Sequence, residues 1–232
     1  GSVPVGKQLA ALAGRHMKRM TMELGGHSPV LVFEDADIDH AAVQLAAYKS
    51  RNAGQVCVAP SRFYVQEGAY DRFVKRFTEA YASQQIGDGI ALGTTMGPLA
   101  HERRVDAMGR FVTDAVQRGA RLVCGGQRLD RVGSFFPPTV LADAPDDALI
   151  MIEEPFGPVV PISTFRTRED GVRRALPVLD GVFAVRAAAA LGGRAAPGGH
   201  ARCDRVRGRV RHGLRAPARA APAVRPWRQE LA

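Results

Sequence analysis

Cysteine, tryptophan and long apolar runs are all scarce in this chain. Its three cysteines, Cys57, Cys124 and Cys203, are too few and too scattered for a disulfide framework or a CxxC metal site, so no metal is expected. A reducing, cytoplasmic setting is the default that follows. No window approaches the roughly 18 apolar residues of a membrane span, and the opening GSVPVGKQLAALAG lacks the apolar run of a secretion signal. Lysine is missing from residues 171–232, which hold 13 arginines and 3 acids. Residues 1–170 hold 19 Lys+Arg against 20 Asp+Glu, so the whole net charge of +9 comes from that last stretch. Arginine contacts phosphate well, but Trp227 and Phe183 are the only aromatics there for base stacking, so a nucleic-acid partner is not expected.

What is present suits a packed core: 232 residues with 46% hydrophobic content allow one large domain or two small ones. KQLAALAG reads as a short helix after a glycine turn, with Leu9, Leu12 and Ala13 on one face. KRMTMEL and HSPVLVF read as strands, the second apolar enough to be buried on both faces. DADIDHAAVQLAAYKS is an amphipathic helix with Asp35 or Asp37 as N-cap. RFYVQE is a strand, DRFVKRFTEAYASQQ a helix, and HERRVDAMGRFVTDAVQRGA a long helix ending at Gly119. RLVCGG reads as a buried strand with Cys124 in the core. FFPPTVLADAP and LIMIEEPFGPVVPISTF read as β-rich, their prolines pointing to edges or bends. This alternation implies an α/β fold, a mostly parallel sheet between helical layers.

Three stretches stand out. RNAGQVCVAP, residues 51–60, sets Cys57 in a small-residue turn between a helix and a strand, with Gly54 and Gln55 at the helix end. Asn52 reads as a helix-end residue. Glu23 in MELGGHSP stands before two glycines that let backbone approach closely. EEPFGPV, residues 153–159, supplies two acids and an aromatic beside Gly157 and Pro158. In this order and spacing the three stretches resemble the NAD(P)-dependent aldehyde dehydrogenase superfamily, over residues 1 to about 170.

The resemblance implies a catalytic domain over 25–170 and, over 1–24, the end of a Rossmann-type NAD(P)-binding domain. It also implies oxidation of a small-molecule aldehyde to its acid, with succinate semialdehyde the suggested substrate, and a homo-oligomer in the intact family. Cys57 matches the nucleophile that forms a thiohemiacetal and then a thioester, its backbone N–H donating to the oxyanion. Glu23 matches the general base for thioester hydrolysis, a task that burial would assist. Gly1 and Gly6 match a glycine-bounded turn near the cofactor pyrophosphate. Glu154 and Phe156 match residues that hold the nicotinamide ribose and lie against its ring. The upstream asparagine and lysine of the family's site have no counterpart here. Residues 171–232, rich in Arg, Ala, Gly and Pro, have too few large apolar side chains to offset ordering entropy, so disorder is expected. They also read as the family's C-terminal part in a shifted frame, since Ala175–Phe183 and Ala223–Leu231 both admit family-like segments one nucleotide later. The alternative function is a non-catalytic fragment or binding protein with a basic tail.

Overall fold

The structure, a computed structural model, describes residues 1–176. Its centre is a five-stranded sheet of β1 (Pro29–Val32), β2 (Arg62–Gln66), β5 (Val159–Phe165), β4 (Thr139–Ala142) and β3 (Arg121–Cys124), in that spatial order. The pairings β1–β2, β2–β5 and β5–β4 are parallel, and only β4–β3 is antiparallel.

Period-two alternation sorts the strand side chains between two cores. Val30, Val32, Phe63, Val65, Val140, Ala142, Val160 and Ile162 face one layer. There α2 (Ile38–Ser50) contributes Ile38, Ala42, Leu45 and Ala46, and α3 (Tyr70–Ala82) contributes Phe73, Val74, Phe77 and Tyr81. Phe63 packs edge-on against Phe77, with centroids 5.2 Å apart, and Phe77 stacks on Phe73 at 5.6 Å. Burying each such ring contributes about 1.5–3 kcal/mol. Tyr64, Leu141, Val159 and Phe165 face the opposite layer, where α4 (Glu102–Gln117) lays down Val105, Met108, Phe111 and Ala115. The three-layer α/β expectation holds.

α2 starts where the sequence says it should: Asp37 accepts from the His40 backbone N–H at 3.1 Å. Four expectations fail for physical reasons. KRMTMEL is not a strand, since no described strand lies beside it; its backbone ties instead to the chain start, Gly1 N–H donating to Glu23 O at 2.8 Å and Gly25 N–H to Gly1 O at 3.0 Å. β3 is not buried: as the antiparallel edge it leaves Arg121 and Leu122 exposed, and Cys124 is half-buried. Leu149–Ile152 form a helical turn, α5, rather than a strand, started by Asp114, which accepts from Leu149 N–H at 2.6 Å. β5 carries Pro161 yet is the central strand. The ladder to β2 begins only at Ile162, so Pro161 stands where β5 has a partner on one side.

α1 (Val3–Arg15) leaves Leu9 and Leu12 half-exposed. α6 (Arg168–Ala175) carries structure past Gly171, where the composition changes. Thr167 caps it by accepting from Asp170 N–H at 3.2 Å, and Gly171 and Ala175 are buried. The expectations of disorder and of a shifted frame beyond these residues fall on 177–232, outside the described part.

Candidate active site

The turn before Cys57 is built from unfavourable conformations held by specific bonds. Asn52 (φ 48°) and Ala53 (φ 53°) are both left-handed, and Gly54 follows at φ 75°. Non-glycine residues in that region cost on the order of 1 kcal/mol or more each and persist where surroundings fix them. Here Asn52 Nδ2 donates to Gln55 O at 3.0 Å, and Gln55 Nε2 donates to Asn52 O at 3.0 Å. Gln55 Oε1 accepts from Ala100 N–H at 2.9 Å, which anchors the turn to the segment leading into α4. The result presents Cys57 exposed at the head of β2.

Gly54 is the one position where the turn admits no side chain. A Cβ there would enter the Gly157 carbonyl oxygen, a backbone atom of the EEPFGPV stretch, as well as requiring φ 75° in an L-residue. Gly54→Ala is therefore expected to lower stability by more than about 2 kcal/mol, from strain and overpacking together. A fall in the urea midpoint without a change of slope checks this; an unchanged midpoint would show that the turn is not fixed as described.

Cys57, Glu23, Gly1, Glu154 and Phe156 all line a single cavity of about 1510 Å³, together with His27, Arg62 and Arg104. Gly6 does not line it; it is buried under Leu24, whose side chain would collide with any Cβ at that position. Glu23 is exposed on the cavity wall, so the burial that would assist a base is absent. The cavity exceeds the roughly 300–1,000 Å³ of a single small-ligand pocket, room enough for an aldehyde beside part of a larger cofactor. At one end lies the start of α1, where Ser2 makes no side-chain cap bond; Pro4 has no N–H and Gly6 N–H donates to Ser2 O at 2.9 Å, so Val3 and Val5 carry the N–H groups an anion would meet.

Glu154 is half-buried beside Gly25, where a Cβ would overlap its carboxylate. Burial raises its pKa, against the opposing pull of the Gly26 N–H, Arg104 and Lys49. Arg104 donates through Nη2 to the carbonyls of Pro155 and Phe156, pinning a loop in which Phe156 has φ 38°. Lys49, in the last turn of α2, is 1% exposed. Burial lowers its pKa to about 7, with the field of Glu154 acting the other way.

His27 is 3% exposed at the inner wall. Burial, then the cations Arg62 and Lys49, lower its pKa to about 4. Because the folded value lies below the ordinary 6.5, the unfolded chain binds the extra proton. The stability this neutral ring contributes is complete above pH 6.5 and is lost as pH falls toward 4. The loss is on the order of 3 kcal/mol. Thermal midpoints between pH 6.5 and 4 are expected to drop steeply in the parent and more gently in His27→Gln; equal slopes would contradict a buried neutral His27.

Gln55, Lys49, Arg104, His27 and Ser61 are residues of this site that sequence reasoning passed over. Little local signal marks them, because most of their partners lie far along the chain; the span from His27 to Ser61, 34 positions, equals the Glu23 to Cys57 interval, and that parallel is the available clue.

Residues 1–176 match the model of the aldehyde dehydrogenase family. The chain belongs to that family. A succinate-semialdehyde dehydrogenase [NADP(+)] of Escherichia coli is 43% identical over 175 residues, covering 75% of this chain and 36% of the relative. A mitochondrial succinate-semialdehyde dehydrogenase of Rattus norvegicus is 45% identical over 173 residues, 74% of this chain and 33% of the relative. Among solved structures, a succinate-semialdehyde dehydrogenase from Burkholderia pseudomallei aligns with a TM-score of 0.74 at 40% identity, over 76% of this chain and 37% of that one. The chain thus spans about a third of the length of the curated relatives it matches. Among its described residues no helix is long and apolar enough to cross a membrane, and no cluster of side chains is arranged to hold a metal ion.

Proposed function

We propose that the chain carries the acyl-transfer centre of an NAD(P)-dependent aldehyde oxidation, with Cys57 as nucleophile and Glu23 as base. The observation that carries this reading is convergence: Cys57, Glu23 and Glu154, from three distant stretches, line one cavity. The Cys57 thiolate attacks the aldehyde carbonyl carbon to form a thiohemiacetal, and the oxyanion accepts from the Cys57 backbone N–H. When bound, NAD or NADP supplies the hydride acceptor for the oxidation. Its residues here are Glu154, for a ribose hydroxyl, Phe156, for the ring, and the start of α1 beside Gly1, for phosphate; the N–H groups at that helix start and the half-buried carboxylate fit such a group. Glu23 takes a proton from the water that hydrolyses the Cys57 thioester, releasing the acid.

The substrate is read as a short aldehyde bearing a carboxylate, succinate semialdehyde first, which the names of the relatives support. Residues 1–24 are read as the end of a cofactor-binding domain, and the chain as cytoplasmic and homo-oligomeric within a complete enzyme. Protection of the exposed thiol tests the centre. Succinate semialdehyde should slow alkylation of Cys57 by iodoacetamide, and succinate, which has no carbonyl to attack, should not. Equal alkylation rates with and without the aldehyde would reject the reading.

A further inference from the structure

The Cys57 and Glu23 stretches meet at one buried hydroxyl that the chemistry above does not use. Ser61, 3% exposed, follows Cys57 at the entrance to β2. Its Oγ accepts from Ser28 N–H at 2.8 Å and lies 3.1 Å from His27 Nδ1, while its own N–H donates to Ser28 O at 3.1 Å. The Glu23 and Cys57 stretches are thereby clipped together. On its other side the His27 ring faces the backbone carbonyls of Ile152 and Glu153, which lead into the Glu154 loop, and Nε2 closes no hydrogen bond there. We propose that His27 and Ser61 are a positioning pair that holds the Cys57 and Glu23 stretches in one register, with His27 fixed as the neutral Nε2–H tautomer.

Two features select that tautomer. With Nδ1 unprotonated, Ser61 Oγ accepts from Ser28 and gives its own hydrogen to His27, so the hydroxyl is used both ways. Protonated Nδ1 would make Oγ accept twice and leave its hydrogen, in a buried site, without a described acceptor. On the far edge, an Nε2–H meets carbonyl oxygens favourably, whereas a bare Nε2 lone pair would repel them. A second proton is opposed by burial, by Arg62 at the head of β2 and by Lys49 at the end of α2, against the carboxylates of Glu23, Glu153, Glu154 and Asp146 on the same cavity wall. The ring is a strut between motifs. It does not itself exchange protons with a substrate.

The proposal rests on the reading of Cys57 and Glu23 as the acyl-transfer pair, and the test separates the two. Nitrogen-15 spectra of the parent chain should show His27 as a single neutral tautomer, Nε2 protonated, from pH 8 down to 5; an Nδ1-protonated or titrating ring over that range overturns the proposal, and no variant is needed to see it. Next, 4-nitrophenyl acetate acylates a reactive thiol without any cofactor: the thiolate bonds to the acetyl carbon, 4-nitrophenolate leaves, and water later releases acetate. Ser61→Ala should acylate at Cys57 at a rate within about twofold of the parent yet lose the acetyl group at least about tenfold more slowly, since displacement of a reacting group by about 1 Å costs up to about 10²-fold. Ser61→Thr, which keeps the hydroxyl, should restore release. Equal acetyl release in parent and Ser61→Ala overturns the positioning role. Absence of acylation at Cys57 in the parent instead rejects the acyl-transfer reading and leaves the tautomer result standing.

Discussion

The Glu23→Gln chain, treated with the same activated ester, is expected to acylate at Cys57 as fast as the parent and to release the acyl group about 10²–10⁴-fold more slowly, the usual contribution of a positioned general base. Attack by a thiolate needs no base once the thiol is ionised, whereas hydrolysis of the thioester needs a water stripped of a proton, so the two steps separate cleanly. Glutamine keeps the size and the backbone bonds of this position, including the Gly1 N–H to Glu23 O link at 2.8 Å. Loss of acylation in this variant would assign Glu23 to the first step or to the shape of the loop.

The second large effect is negative: residues 1–232 alone are expected to form no measurable NADH or NADPH with any aldehyde. Holding aldehyde, thiolate and cofactor together supplies roughly 7–11 kcal/mol of the barrier. In this chain the side of the cavity proposed for the cofactor consists of the start of α1, the Gly25–Gly26 turn and the Glu154–Phe156 loop, while the matched residues make up only 36% of the Escherichia coli relative. The thiol can still react, because its nucleophilicity depends on ionisation and access. Steady NADH formation that disappears in Cys57→Ala would show that these few contacts suffice, or that another chain completes the site.

The parts of the fold that sequence made legible are those whose signal is local. Asp37 announces α2, Gly119 (φ 105°) closes α4, and the run from DIDHAAVQL through RNAGQVC to RFYV places Cys57 between helix and strand. Glu23 and Glu154 were legible as members of ordered motifs. What stayed hidden depends on neighbours remote in sequence. Pro161 sits in a central strand because the register to β2 starts one residue later. KRMTMEL alternates like a strand but finds no strand to pair with. Lys49, on an otherwise ordinary amphipathic helix, is buried beside the Gly54 turn and lies in the field of Glu154, more than a hundred positions away. Ser61, one of several small residues around Cys57, gains its place only when Ser28 and His27 fold against it. Periodicity carries no information about which small polar residue will be the clasp.

The account depends most on Cys57 as the thiol that takes the acyl group. Peptide mapping by mass spectrometry after brief treatment with 4-nitrophenyl acetate tests this directly in the chain as it stands. The acetyl mass is expected on the peptide containing Cys57, and none is expected on the Cys124 peptide of parent or Cys57→Ala, since the half-buried Cys124 thiol is pushed toward its protonated, unreactive form by burial. An acetyl group found on Cys124 or Cys203 and not on Cys57 would contradict the account.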